Sequence, residues 1–230
     1  MTTKARKNHG DRQLTLRFVT RGGPREGSGR KKGEGVSHDK RPTITRHSGL
    51  LLTWKVLPGL PSLRHGEGRG LLMGVMAASC DRHGFRVVQF SIQKDHLHLV
   101  AEAEDNHSLA EGAKALAVRL ARALNRLWDR KGTVFSERYH LRVFKSLLAV
   151  RNVLLYVLKN ARRHRVPHPG VHDPFSSASW FEKWKEEIQV DPVHFLWRPV
   201  ARARSWILRQ GWWERHGPLG IGELPAAARP

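Results

Sequence analysis

The chain holds a single cysteine, Cys80, in 230 residues. A lone thiol excludes an intrachain disulfide and any cysteine-rich zinc site, and its expected place is as a small buried hydrophobe on a helix. Tyrosine is nearly as scarce. Only Tyr139 and Tyr156 occur, so chemistry that needs a tyrosine nucleophile has two candidates. No apolar run approaches the roughly 20 residues that span a bilayer; the longest, Leu71 to Ala78, is interrupted by Gly74. The first residues are not apolar either, and we expect a soluble, intracellular protein with no membrane partner. No Gly-x-x-x-x-Gly-Lys-Ser/Thr phosphate loop occurs, so these residues carry no P-loop helicase. Acidic residues are few beside basic ones: 20 Asp and Glu face 41 Lys and Arg, a formal charge of +21 with a pI near 11.3. Such an excess calls for a polyanionic partner, in practice nucleic acid, without deciding between DNA and RNA. The length suits one domain of ordinary size plus extensions, and 40% hydrophobic residues suffice for its core.

Against that background the segment from Ser91 to Val100 stands out, because it carries His96-Leu97-His98. In a strand, residues two apart point to the same face, so both imidazoles leave the sheet together while Leu97 and Leu99 turn into a core. Two neutral imidazoles side by side make half of a metal site, better suited to manganese or zinc than to magnesium. The pattern alone is weak in a chain with 14 histidines.

A second element follows about 60 residues on. Between Leu147 and His164, apolar residues at 150, 153, 154, 157 and 161 follow the spacing of an amphipathic helix. Asn152, Tyr156 and Asn160 are four apart and predict a separate ridge on it, near Lys159, Arg162 and Arg163. A helical tyrosine often does no more than hydrogen-bond a carbonyl at an interface. The rival, Tyr139, has His140 beside it as a base, but neighbours on a strand face opposite sides.

These pieces, in this order, resemble the single-tyrosine HUH transposases, in particular the REP-associated branch of the IS200-like transposases. The matching stretches are Asp95-His-Leu-His-Leu99, Gly132 to His140, and Arg151-Asn-Val-Leu-Leu-Tyr-Val-Leu-Lys-Asn160, and the resemblance spans roughly residues 50–170. It implies that Tyr156 is the nucleophile and that His96, His98 and Asn160 hold a divalent cation, Mg or Mn. It further implies a DNA strand transferase acting on single-stranded or hairpin DNA through a covalent 5′-phosphotyrosine, as a monomer or a homodimer. A catalytically silent hairpin-binding descendant of such an element is the alternative. Many relatives have Asn-Pro where this chain has Asn160-Ala161, so the helix is expected to run on past the motif.

Along the chain, residues 1–47 hold 13 Lys and Arg against 4 Asp and Glu, with scattered glycine and proline. We expect a disordered basic arm there, with Arg30, Lys31 and Lys32 tracking phosphates. Residues 48–166 are expected to form the nuclease domain. Its strands are 50–56, 85–92, the His-pair strand and 133–144, and its helices are 68–82, 108–130 and the tyrosine helix. That order predicts an α+β fold with a ferredoxin-like antiparallel sheet, β-α-β-β-α-β, plus an added helix. On the long helix, Ser108 is the expected N-cap. Arg119, Arg122 and Arg126 form a ridge that could lie along a DNA backbone, although an ordinary solvated face has the same pattern. Arg162 and Arg163 are expected to contact DNA beside the tyrosine. Residues 167–230 form an extension with six of the eight tryptophans, most of them expected as anchors onto the main domain. A cytoplasmic, nucleoid-associated protein is the resulting expectation.

Overall fold

Side chains alternate along the central strand, and that alternation divides the protein into two cores on opposite faces of one sheet. The computed structural model describes residues 41–163, 171–187 and 198–224. Its elements are β1 (Leu50–Lys55), α1 (Gly66–Ala77), β2 (Asp81–Arg82), β3 (Phe85–Ile92), β4 (His96–Ala103), α2 (Asn106–Leu127), β5 (His140–Val143), α3 (Leu147–Leu158) and α4 (Asn160–Arg163). The strands pair antiparallel in the order β2-β3-β4-β1-β5. Apart from the two-residue β2, this is the expected ferredoxin-like α+β fold with an added helix.

Leu97, Leu99 and Ala101 of β4 point into a core with Leu50, Leu52 and Trp54 of β1, covered by α1 and α2. Val100 points the other way, into a second core with Val150, Leu154 and Val157 of α3. The long helix lies unusually close to β3: a Cβ built at Gly112 would sit 2.1 Å from Cβ of Phe85. On β3 the simple alternation fails. A bulge falls between Val87 and Gln89, so Val88 joins the α3 core while Phe90 and Ile92 stay with α1 and α2.

Several boundaries differ from expectation for local reasons. The first helix ends at Ala77, and a two-residue hairpin turn at His83 and Gly84, both at positive φ, lets Asp81–Arg82 pair with β3. Cys80 therefore lies past the helix, half-buried, and burial pushes its thiol pKa up. The carboxylate of Asp105, not Ser108, caps α2, accepting the Ser108 amide at 2.7 Å. Only His140–Val143 of the expected 133–144 strand pairs with β1; Phe135 adds an isolated bridge to Val56. The tyrosine helix does not run on. It stops at Leu158, Lys159 turns out of helical geometry, and α4 starts at Asn160. There the Lys159 ammonium is buried and donates to the carbonyls of Gly220, Ile221 and Glu223.

The C-terminal part is bound to the domain by buried charge. Asp173 accepts both Nη atoms of Arg64, at 2.9 and 2.7 Å. The buried carboxylate of Glu102 on β4 accepts Arg86 at 3.2 Å, the Ser205 amide at 2.8 Å and the Ser205 hydroxyl at 2.6 Å. After it come a π-helical turn, Ile207–Gly211, and α5 (Trp212–His216). Trp180 and Trp212 are buried anchors, and Trp184 donates to the Ala178 carbonyl at 3.1 Å.

Candidate active site

His96 and His98 leave β4 on the α3 face, as their spacing requires. Their rings meet edge to face with centroids 4.7 Å apart. Strand register supplies the neighbours. Thr53 of β1 lies opposite His98, and Lys55 lies opposite His96. Thr53 Oγ1 is 2.9 Å from Nδ1 of His98, and Asp95 Oδ1 is 2.7 Å from Nδ1 of His96. A carboxylate only accepts, so Nδ1 of His96 carries the hydrogen. The same bond holds the Asp95 carboxyl below its ordinary range, chiefly through the hydrogen donated by His96. Ligating histidines are usually held this way, with one nitrogen fixed by an oxygen.

The tyrosine helix closes over this face. Ser146 caps its N-terminus, accepting the Ala149 amide at 3.1 Å, and Val150, Val153, Leu154 and Val157 seat it on the sheet. That seating turns Tyr156 toward β4: its hydroxyl lies 3.1 Å from Nε2 of His98, the rings 5.1 Å apart. His98 thus bridges Thr53 and Tyr156 through its two nitrogens.

Asn160 lies just beyond. Its side chain is completely buried, and neither Oδ1 nor Nδ2 has a hydrogen-bond partner among the described residues. Such an orphaned amide normally has an unseen partner, because burying it unpaired is costly. The expected ridge of Asn152, Tyr156 and Asn160 is not uniform: Asn152 is exposed, Tyr156 half-buried and Asn160 fully buried. The break at Lys159 sets Asn160 apart from the other two, since a four-residue ridge needs an unbroken helix. Among the described residues no three His, Cys, Asp or Glu side chains converge as a metal site. The donors brought together are two imidazoles and a phenol, a set that fits a divalent cation completed by substrate oxygens.

Tyr139 is elsewhere. It is buried in the α1/α2 core, edge-on to Trp54 at 5.7 Å and under the Arg41 guanidinium at 3.7 Å. Burial pushes its pKa up, against phenolate formation. Arg119, Arg122 and Arg126 are on α2, in the layer across the sheet from the His pair; Arg119 donates to Ser79 at 3.2 Å. Arg162 and Arg163 belong to α4, but their side chains, like Arg30, Lys31 and Lys32, lie outside the described residues. His172 stacks on Trp184 at 5.1 Å. Thr53 and Lys55 of this face were not singled out from sequence, and His140, read there only as a base for Tyr139, lies exposed opposite Thr53 on β5. Only strand register reveals them, because cross-strand partners share a face.

Residues 64–160 match the family model described as Transposase IS200 like. Among solved structures, a REP-associated tyrosine transposase bound to a REP hairpin is 13% identical, covering 62% of this chain and 82% of its own, with a TM-score of 0.49. A proposed transposase from Deinococcus radiodurans R1 is 18% identical, covering 55% of this chain and 95% of its own, with a TM-score of 0.37. No curated protein matches the sequence. No described helix is long and apolar enough to cross a membrane.

Proposed function

We propose that the chain cleaves and rejoins single-stranded DNA with Tyr156 as the nucleophile. The observation that carries this reading is the 3.1 Å contact between the Tyr156 hydroxyl and Nε2 of His98. Tyr156 Oη attacks a phosphodiester; the Tyr–O–P bond forms, the P–O3′ bond breaks, and the 3′-oxygen leaves as a hydroxyl. The product is a 5′-phosphotyrosine that keeps the phosphodiester energy, so a second 3′-hydroxyl can reverse the step and join strands without ATP. A phenol with a pKa of about 10 needs help to ionise at neutral pH. Nδ1 of His98 is held by Thr53 and Nε2 lies at that hydroxyl, so a cation held through Nε2 would sit beside the phenol and would favour its ionised form.

His96, His98 and Asn160 would hold a divalent cation, Mg or Mn, which would neutralise and orient the phosphate. The pairing of the two imidazole rings and the orphaned amide of Asn160 support the assignment. Lys55 and His140, both exposed on the same face, are placed to meet the DNA backbone. Contacts by Arg162, Arg163 and the basic 1–47 arm would extend along the strand, and Arg119, Arg122 and Arg126 would bind DNA away from the cleaved phosphate. Residues 48–166 form the catalytic domain in this reading, and 167–230 an extension that buttresses it. Tyr156 reaches His98 of its own chain, so cleavage needs no second copy, although a homodimer is compatible with it. The hairpin bound by the REP-associated transposase suggests the substrate to try first. The net charge of +21 suits work on nucleoid DNA in the cytoplasm.

The polarity of the linkage tests the reading. A hairpin with a single-stranded flank and Mn²⁺, labelled in turn at each end, should leave the 3′ portion bound to protein and the 5′ portion with a free 3′-hydroxyl. The opposite partition, or two free fragments, contradicts it.

A further inference from the structure

Trp206 is 51% exposed, unlike the buried Trp54, Trp180 and Trp212, and is the one exposed tryptophan among the described residues. Its ring is also fixed. A Cβ built at Gly211 would sit 2.6 to 2.8 Å from Cζ3, Cη2 and Cε3 of Trp206, so the six-membered ring lies directly on the glycine backbone. The cause is local. Residues 207–211 form a π-helical turn, and in that geometry positions five apart line up. Trp206 therefore stands over Gly211, where any side chain would push it away.

The stretch of chain that carries the ring is basic. Arg202, Arg204 and Arg209 are all exposed, and the first two keep 80% and 71% of their side chains in solvent. Their acidic contacts are long: Glu182 lies 3.7 Å from Arg202 and Asp81 lies 3.5 Å from Arg204. The segment is anchored just before the ring, where Ser205 binds Glu102. Glu102 shares its face of β4 with His98, four residues and therefore roughly 14 Å along the strand. An exposed flat aromatic surface, backed by glycine and set in a basic stretch of chain, suits an unpaired base and its phosphates.

We infer that Trp206, seated on Gly211, is a stacking platform for an unpaired nucleobase of the bound DNA, with Arg202, Arg204 and Arg209 holding the adjoining phosphates. The inference rests on the DNA reading above but not on its chemistry. The π-turn is what makes the platform, since an ordinary helical turn would not bring residues 206 and 211 into line.

The test is fluorescence anisotropy with a short labelled oligothymidylate and with the same oligomer carrying abasic sites. Trp206→Ala should weaken binding of the intact oligomer by roughly 5- to 150-fold, while Trp206→Phe should stay close to wild type. Abasic substitution should weaken wild type but leave Trp206→Ala unaffected. Gly211→Ala, by lifting the ring, should fall between wild type and Trp206→Ala. Equal binding by Trp206→Ala and wild type, or an equal loss on intact and abasic oligomers, overturns the platform, and so does a wild type that binds neither oligomer. If the tryptophan effect holds but Tyr156 forms no adduct with DNA, the catalytic reading fails alone.

Discussion

The hydroxyl of Tyr156 and Nε2 of His98 meet at 3.1 Å, while Nδ1 of the same imidazole meets Thr53 Oγ1 at 2.9 Å. One ring thus joins three elements, β1, β4 and α3. It makes Thr53 responsible for how His98 presents its second nitrogen. Thr53 occupies Nδ1, which leaves Nε2 to face the tyrosine and any cation held there.

Thr53→Val should therefore weaken Mn²⁺ binding by about 10- to 100-fold, the usual cost of removing an outer partner of a ligating histidine. Titration calorimetry on the folded protein measures this without reference to cleavage. Saturating Mn²⁺ should also raise the unfolding free energy of wild type, by about 2.7 kcal/mol at a hundred times Kd. His96→Ala should lose that increment. Unchanged affinity in both variants would place the cation elsewhere.

Lys55 faces the site opposite His96 and is exposed. If it binds a backbone phosphate, Lys55→Met should weaken all sequences about equally and lower the slope of log K against log salt by about 1. A slope equal to wild type would remove Lys55 from the interface.

Glu223 holds Arg151 of the tyrosine helix at 2.9 Å, and that bond keeps its carboxyl below the ordinary value of 4.5. A carboxylate depressed in the folded state stabilises fully above its unfolded pKa, and the contribution fades as pH falls through the folded value. Chemical denaturation from pH 6 downward (roughly the range in which carboxylates titrate) should show Glu223→Gln with a flatter acid limb than wild type. Identical limbs would mean that the pair adds nothing.

Gly112→Ala should destabilise the domain by about 1–3 kcal/mol, because the added methyl meets Cβ of Phe85 and must push α2 off the sheet. Urea midpoints with an unchanged slope would measure it. A stabilised variant would show that the helix can shift without cost.

Much of the arrangement was readable in the chain because it depends on short periods. Alternation in His96-Leu97-His98 put both imidazoles on one face, and the spacing of Val150, Val153, Leu154 and Val157 put a helix on a core. What was not readable depends on register and on breaks. Thr53, Lys55 and His140 join the site through pairing across strands. The bulge at Val88 and the turn at Lys159 each shift a face by one step, which no repeating pattern announces. The separation of Arg119, Arg122 and Arg126 from the His pair follows from which face α2 covers, a matter of topology rather than periodicity.

The central claim is that Tyr156 alone forms the bond to DNA. It is tested most directly by incubating wild type, Tyr156→Phe and Tyr139→Phe with a single-stranded hairpin library and Mn²⁺ and resolving the products on a denaturing gel. The account predicts a covalent protein–DNA band for wild type and Tyr139→Phe that disappears in Tyr156→Phe. A band that survives in Tyr156→Phe, or hairpin binding with no band in any of the three, would contradict it.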